Sequence, residues 1–133
     1  EDDSRPRCYN SNMVSRTFLG LAFAVILSAA DSAVGGAKKK ITEKKYDEAI
    51  TLLETAHKAK PQSAELKKAL GDAYLGKGDS FMYNDALPPR MKYPTALRAY
   101  REVLKYDKEN KKAKQGIATI EGIYKSMGRP VPQ

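Results

Sequence analysis

Four stretches of this chain repeat apolar residues at the spacing of a helix face, and none alternates as a strand would. In YDEAITLLETAHKAKP the set Tyr46, Ala49, Ile50, Leu53 and Ala56 recurs at steps of three and four, which puts it on one side of an α-helix. Asp47 and Glu48 fall in its first turn, where carboxylates meet the positive end of the helix dipole, and Pro61 marks its end. SAELKKALGDAYLGKGD follows, with Ser63 as N-cap and a stripe of Leu66, Ala69, Leu70, Ala73 and Tyr74; Gly76 and Gly78 are expected to stop it. In YPTALRAYREVLKYD, Pro94 suits a first turn, where a missing N–H costs nothing, and Ala96, Leu97, Tyr100, Val103 and Leu104 form the stripe. The last, NKKAKQGIATIEGIYKSMG, carries Ala113, Ile117, Ile120, Ile123, Tyr124 and Met127 between Asn110 and Gly128 as caps. The fold class is all-α.

Two of these helices align with each other, Tyr46-x-x-Ala49-x-x-x-Leu53 with Tyr93-x-x-Ala96-x-x-x-Tyr100, and Leu70-Gly71-x-x-Tyr74 lies between them. In these residues, with Pro61 closing the first unit, the chain resembles the tetratricopeptide repeat family over residues 37–128. The resemblance implies a short solenoid of helical hairpins in which small Gly71, Ala49 and Ala96 let helix axes approach. It also implies a role in holding another protein on a concave face, for which Lys67, Lys68, Asp72 and Lys112 are the candidates. The departures are Lys67 where the family often has tryptophan and Lys108 where it usually has proline. A first helix is stunted to GAKKKITEK behind Gly35 and Gly36, and a final helix, with Ile117-Ala118 for Leu-Gly, reads as a cap. About three repeats are needed for a continuous core, so this is a minimal unit.

Ala49 and Ala96 stand 47 residues apart, against a family period of about 34 residues. The excess falls in GDSFMYNDALPPRMKYPTA and reads as an inserted loop over 79–92. Surface loops lengthen at little cost, about 0.6 kcal/mol per doubling, but a tolerated linker is polar and glycine-rich. This one offers Phe81, Met82, Tyr83, Leu87 and Met91 and is stiffened by Pro88-Pro89. Phe81, Tyr83 and Met91 are therefore candidate partner contacts, and packing on the repeat itself is the competing reading.

Ahead of the helices, Arg16, an apolar run from Phe18 to Leu27, and Ser28-Ala29-Ala30 follow the order of a secretory signal peptide over residues 13–33, with cleavage after Ala30. The run is shorter than the roughly 20 residues of a membrane span. The competing reading is an apolar anchor retained through residues 17–34. Residues 1–12 read as disordered or as a mis-assigned leader, and residues 129–133 as a tail. Cys8 is the single cysteine, which excludes an internal disulfide and leaves the remainder suited to an oxidising compartment. Export to a bacterial periplasm or the exterior, or tethering at a membrane, is the expected localisation.

The net charge is +8, a balance that attracts acidic proteins, lipid headgroups or nucleic acid. The lysines are scattered along helix faces, and no basic motif interleaved with aromatics marks a nucleic-acid reader. His57, the only histidine, has no sequence neighbour that would make it a base or a metal ligand. GKGD lacks the strand and spacing of a phosphate loop, and YNDA is too short to ligate calcium. The expectation is a non-enzyme without cofactor, metal or small-molecule substrate: an exported or membrane-associated scaffold for another protein. Two alternatives stand beside it, an accessory subunit of a membrane complex and a basic module for an anionic polymer.

Overall fold

A computed structural model describes the backbone of residues 17–133 and the side chains from residue 29 onward. The expectations for residues 1–12, and for 13–16 of the leader, lie outside the described residues. Five helices are present among them: α1 (Thr17–Thr42), α2 (Tyr46–Ala59), α3 (Ala64–Met82), α4 (Pro89–Tyr106) and α5 (Lys111–Ser126). No strand occurs among the described residues. The helices α1–α2 and α3–α4 pair as antiparallel hairpins, α1 also packs along α3, and α5 closes the stack against α4. This is the all-α hairpin solenoid with a C-terminal capping helix that the stripes and the repeat imply.

Two sequence expectations need correction. The first helix is not stunted: α1 passes straight through Gly35 and Gly36. Ala30, Ala33 and Ala37 are buried on its inner side, with Val34 and Ile41 packed beside them. A glycine in a helix interior costs only about 1 kcal/mol, and packing of this small-residue stripe holds the helix through both.

The second correction concerns the insertion. Its boundaries of 79–92 are too wide, since α3 runs to Met82 and α4 begins at Pro89, leaving Tyr83 to Pro88 as the connection. Gly76 and Gly78 do not stop α3; they make room. A Cβ on Gly76 would sit 2.5 Å from the Tyr46 ring, and one on Gly78 would sit 2.6 Å from the Tyr100 ring. Pro89, rather than Pro94, takes the first helical position. Pro94 lies inside α4 and removes the amide that would bond the Arg90 carbonyl. In the connection, Asn84 Oδ1 accepts from the Ala86 N–H at 3.0 Å, a side-chain mimic of a backbone turn. The extra residues thus lengthen one hairpin, giving helices of 19 and 18 residues beside an α2 of 14.

The turns after α2 and α4 are the same turn made with different residues. Lys60 (φ −139, ψ 71) and Asp107 (φ −135, ψ 90) end the two helices, and their carbonyls accept from Ser63 N–H and Asn110 N–H at 3.2 Å each. Ser63 Oγ then caps Leu66 N–H at 3.3 Å, as Asn110 Oδ1 caps Ala113 N–H at 3.0 Å. The cap side chain is common to both, and Lys108 occupies in the second turn the place that Pro61 has in the first.

The core is two clusters that share Tyr74 as a common edge. Leu53, Leu66 and Leu70 fill the first between α1, α2 and α3. Tyr100 centres the second, its ring lying against Gly78 of α3 and Gly116 of α5, where a Cβ would fall at 2.6 and 2.4 Å. Its hydroxyl donates to Asp79 Oδ1 at 2.7 Å. The tail folds back on this cluster through Val131, and Arg101 Nη1 donates to the Pro132 carbonyl at 2.9 Å.

Gly71 behaves differently, since a Cβ there meets nothing within 4 Å; it is not the close-approach residue that the repeat pattern implies. Gly116→Ala should therefore cost about 1–3 kcal/mol by overpacking. Gly71→Ala should stabilise by about 0.5–1 kcal/mol through helix propensity. Urea unfolding of the two variants beside the native chain checks the pair.

Candidate functional site

The side of the stack that carries α1 and α3 is grooved. One cleft of about 490 Å³ runs between the two helices, with Asp31, Val34 and Lys38 on one wall and Glu65, Lys68 and Asp72 on the other. A second cleft of about 400 Å³ lies between α3 and the end of α4, lined by Lys67, Lys68, Gly71, Asp72, Tyr106 and Asn110. Lys68 and Asp72 belong to both, so they stand on the ridge between the clefts. The missing side chain of Gly71 deepens the second cleft, which is the role that the open space at its Cα leaves for it.

Of the four concave-face candidates, the structure thus brings Lys67, Lys68 and Asp72 together. Lys112 is exposed at the start of α5 and lines neither cleft. Asp31, Lys38 and Glu65 escape the sequence reading. The α1 wall goes unseen because the helix is taken to begin near residue 37. The signal that could have revealed it is the spacing of Ala30, Ala33, Val34, Ala37 and Ile41, which continues a helix face upstream of the two glycines.

The insertion candidates divide between two fates. Phe81 is on α3 and packs on the second core cluster with Met82, whereas Tyr83 and Met91 are 74% and 53% exposed. Phe81 and Tyr83 also border a broad cavity of about 1050 Å³ between the start of α2 and the end of α3, which Met91 does not reach. This hollow exists because the second hairpin projects past the first. On its rim Lys77 pairs with Asp47.

Beneath the second cleft the groove rests on a stack of rings. Tyr106 lies parallel to Tyr74 at 6.2 Å between ring centroids and takes the edge of His57 at 5.8 Å. Tyr74 donates its hydroxyl to Glu54 Oε1 at 2.6 Å. His57 Nδ1 is buried without a hydrogen-bond partner among the described residues. Among the described residues, no three His, Cys, Asp or Glu side chains converge to hold a metal ion. What the arrangement offers chemically is a ridged, mixed-charge surface on a rigid aromatic base.

A chain of stacked antiparallel hairpins with a groove along its first helices is a short helical-repeat fold. Residues 40–80 match the family model of the tetratricopeptide repeat, so the repeat is tetratricopeptide-like from the last turn of α1 to the point where α3 outruns the usual length. No curated protein matches the chain, and no solved structure does.

Burial foremost, and then the bond to Glu54, pushes the Tyr74 hydroxyl well above the ordinary tyrosine value of 10.0; burial and Asp79 do the same to Tyr100. A raised folded-state pKa adds stability that is complete below pH 10 and lost as pH climbs above it, because the unfolded chain releases its protons first. Urea midpoints should therefore fall above about pH 10. The fall should be shallower in a Tyr74→Phe, Tyr100→Phe double variant, and tyrosinate absorbance followed in parallel identifies the groups.

Proposed function

We propose that the chain is a non-catalytic scaffold that holds another protein in the groove between α1 and α3, outside the cytoplasm or at a membrane. The observation that carries the reading is the ridge formed by Lys68 and Asp72, two exposed opposite charges shared by both clefts. Exposed charges one helical turn apart add little to stability, and here they stand where a bound segment would cross. Alternating Lys38, Lys68, Asp31, Glu65 and Asp72 suit a polypeptide with charges of both signs better than a uniform polyanion. Family members of this repeat type are typically binding modules.

Lys68→Glu with Asp72→Lys reverses the ridge while leaving folding stability within about 0.5 kcal/mol. Capture of the native partner from detergent-solubilised cell extract should be lost in this variant and kept in Arg98→Ala, an exposed change on α4. Equal capture by both would show that the groove is not the contact.

The export or tether rests on the charged, apolar and small-residue order of residues 13–33. A retained tether is favoured by the continuity of α1 from Thr17 into the core. Among the residues described with their side chains, no helix is long and apolar enough to cross a membrane. N-terminal sequencing of the native protein distinguishes the two forms: a start near Asp31 eliminates the tether.

A further inference from the structure

Residues 129–133, RPVPQ, lie along the seam between α4 and α5. Gly128, with φ +63, turns the chain back at the end of α5, and Arg129 N–H meets the Tyr124 carbonyl at 3.0 Å. Further on, the Pro132 carbonyl accepts from Arg101 Nη1 at 2.9 Å, while Arg101 Nη2 stands 3.9 Å from Glu121 Oε1. The segment therefore returns along α5 to the level of Glu121, with Arg101 of α4 on its other side. Between these two points Val131 packs half-buried on the second core cluster, beside which Leu104, Ile117 and Tyr124 are also half-buried.

Glu121, Gly122 and Lys125 stand 47 residues after Tyr74, Leu75 and Gly78, the α3 residues that meet α4 and its cluster. On α3 that flank is covered by a whole helix. On α5 the equivalent residues are exposed, and are charged or lack a side chain, so a further apolar helix would find nothing there to bury. The seam instead suits one extended chain. It offers apolar surface to a side chain and a guanidinium to a backbone carbonyl, the two kinds of contact by which extended segments are held. Neither contact requires the segment to be joined to α5. Pro130 and Pro132 fix their own φ and keep Arg129 and Val131, the residues before them, extended, so docking orders little. The attachment is slight. Among the described residues, two hydrogen bonds and the half-buried Val131 and Pro132 hold residues 129–133, and elements with few buried contacts open at low cost.

We propose that the α4–α5 seam is a docking site for an extended segment of another protein, a valine flanked by prolines, and that residues 129–133 are its built-in competitor. Val131 marks where the partner's valine seats, and Arg101 holds the carbonyl that follows it. The site is separate from the groove between α1 and α3, so either reading stands without the other. In cis the tail has the high effective concentration of a short tether, which closes the seam to weak ligands and leaves it open to a partner that displaces the tail.

The test is NMR titration of the isotope-labelled full-length chain with a synthetic peptide, GRPVPQ. In a Val131→Asp chain, whose tail no longer seats, the peptide should shift amide resonances around Arg101 and Glu121. It should bind there about tenfold tighter than to the native chain, the gain when a tail seated about nine-tenths of the time is released. Adding Arg101→Gln should weaken this binding about fivefold, the loss of one hydrogen bond, and a peptide with aspartate for its valine should not bind. Should Val131→Asp fold poorly, Pro130→Gly with Pro132→Gly frees the tail by loosening it, and the same titration applies. A peptide that leaves the released chain's spectrum unchanged overturns the proposal and makes the tail a fixed cap. Binding that is equal with aspartate for valine, or equal in the Arg101→Gln chain, overturns it as well.

Discussion

The ring of Tyr100 is the constraint on which the second half of the molecule depends. It enters from α4 and lies where two glycines, on α3 and α5, leave no side chain, and its hydroxyl reaches Asp79 at 2.7 Å. Three helices are therefore fixed by one side chain, because neither neighbouring surface could come so close with even a methyl group present. Tyr46 against Gly76 repeats the device one hairpin earlier. A two-hairpin stack buries few large residues, so a tyrosine filling a double gap carries more of the packing than it would in a longer array.

The class of fold was legible because stripes at three- and four-residue spacing constrain both helix existence and helix orientation. The caps at Ser63, Asn110 and Gly128 were legible for the same local reason: each satisfies end groups of its own helix. Gly128, with φ +63, lets Arg129 N–H reach the Tyr124 carbonyl at 3.0 Å. What failed was the reading of glycine. Gly76 and Gly78 resemble terminators in sequence, yet their partners, Tyr46 and Tyr100, are 30 and 22 residues away. A local rule cannot register a tertiary contact at that separation. Gly35 and Gly36 misled in the same way and hid one wall of the groove. The glycine the repeat pattern singled out, Gly71, instead faces open space.

The candidate site was half legible. Lys67, Lys68 and Asp72 lie within two turns of one helix, so local periodicity grouped them, whereas Lys112 sits on a different helix whose rotation about its axis depends on how it packs. The insertion split for an energetic reason. Phe81 and Met82 found apolar surface on the second core cluster, while Tyr83 and Met91 lie beyond its reach. Pro88 and Pro89 contribute by starting α4 in a preset conformation rather than by stiffening a loop.

Because the added residues are helical, the second hairpin is an arm of fixed length rather than a tether. From Asp72 on the groove ridge to Tyr83 at the tip, the path is essentially all helix, about 16 Å at 1.5 Å per residue. The two surfaces accordingly form a gauge. A ligand that touches both must span that gap in its own rigid form, and adding or removing one residue in α3 would rotate the tip by about 100° as well as shift it. Selection among ligands could then act on length and phase, properties that no single contact residue encodes.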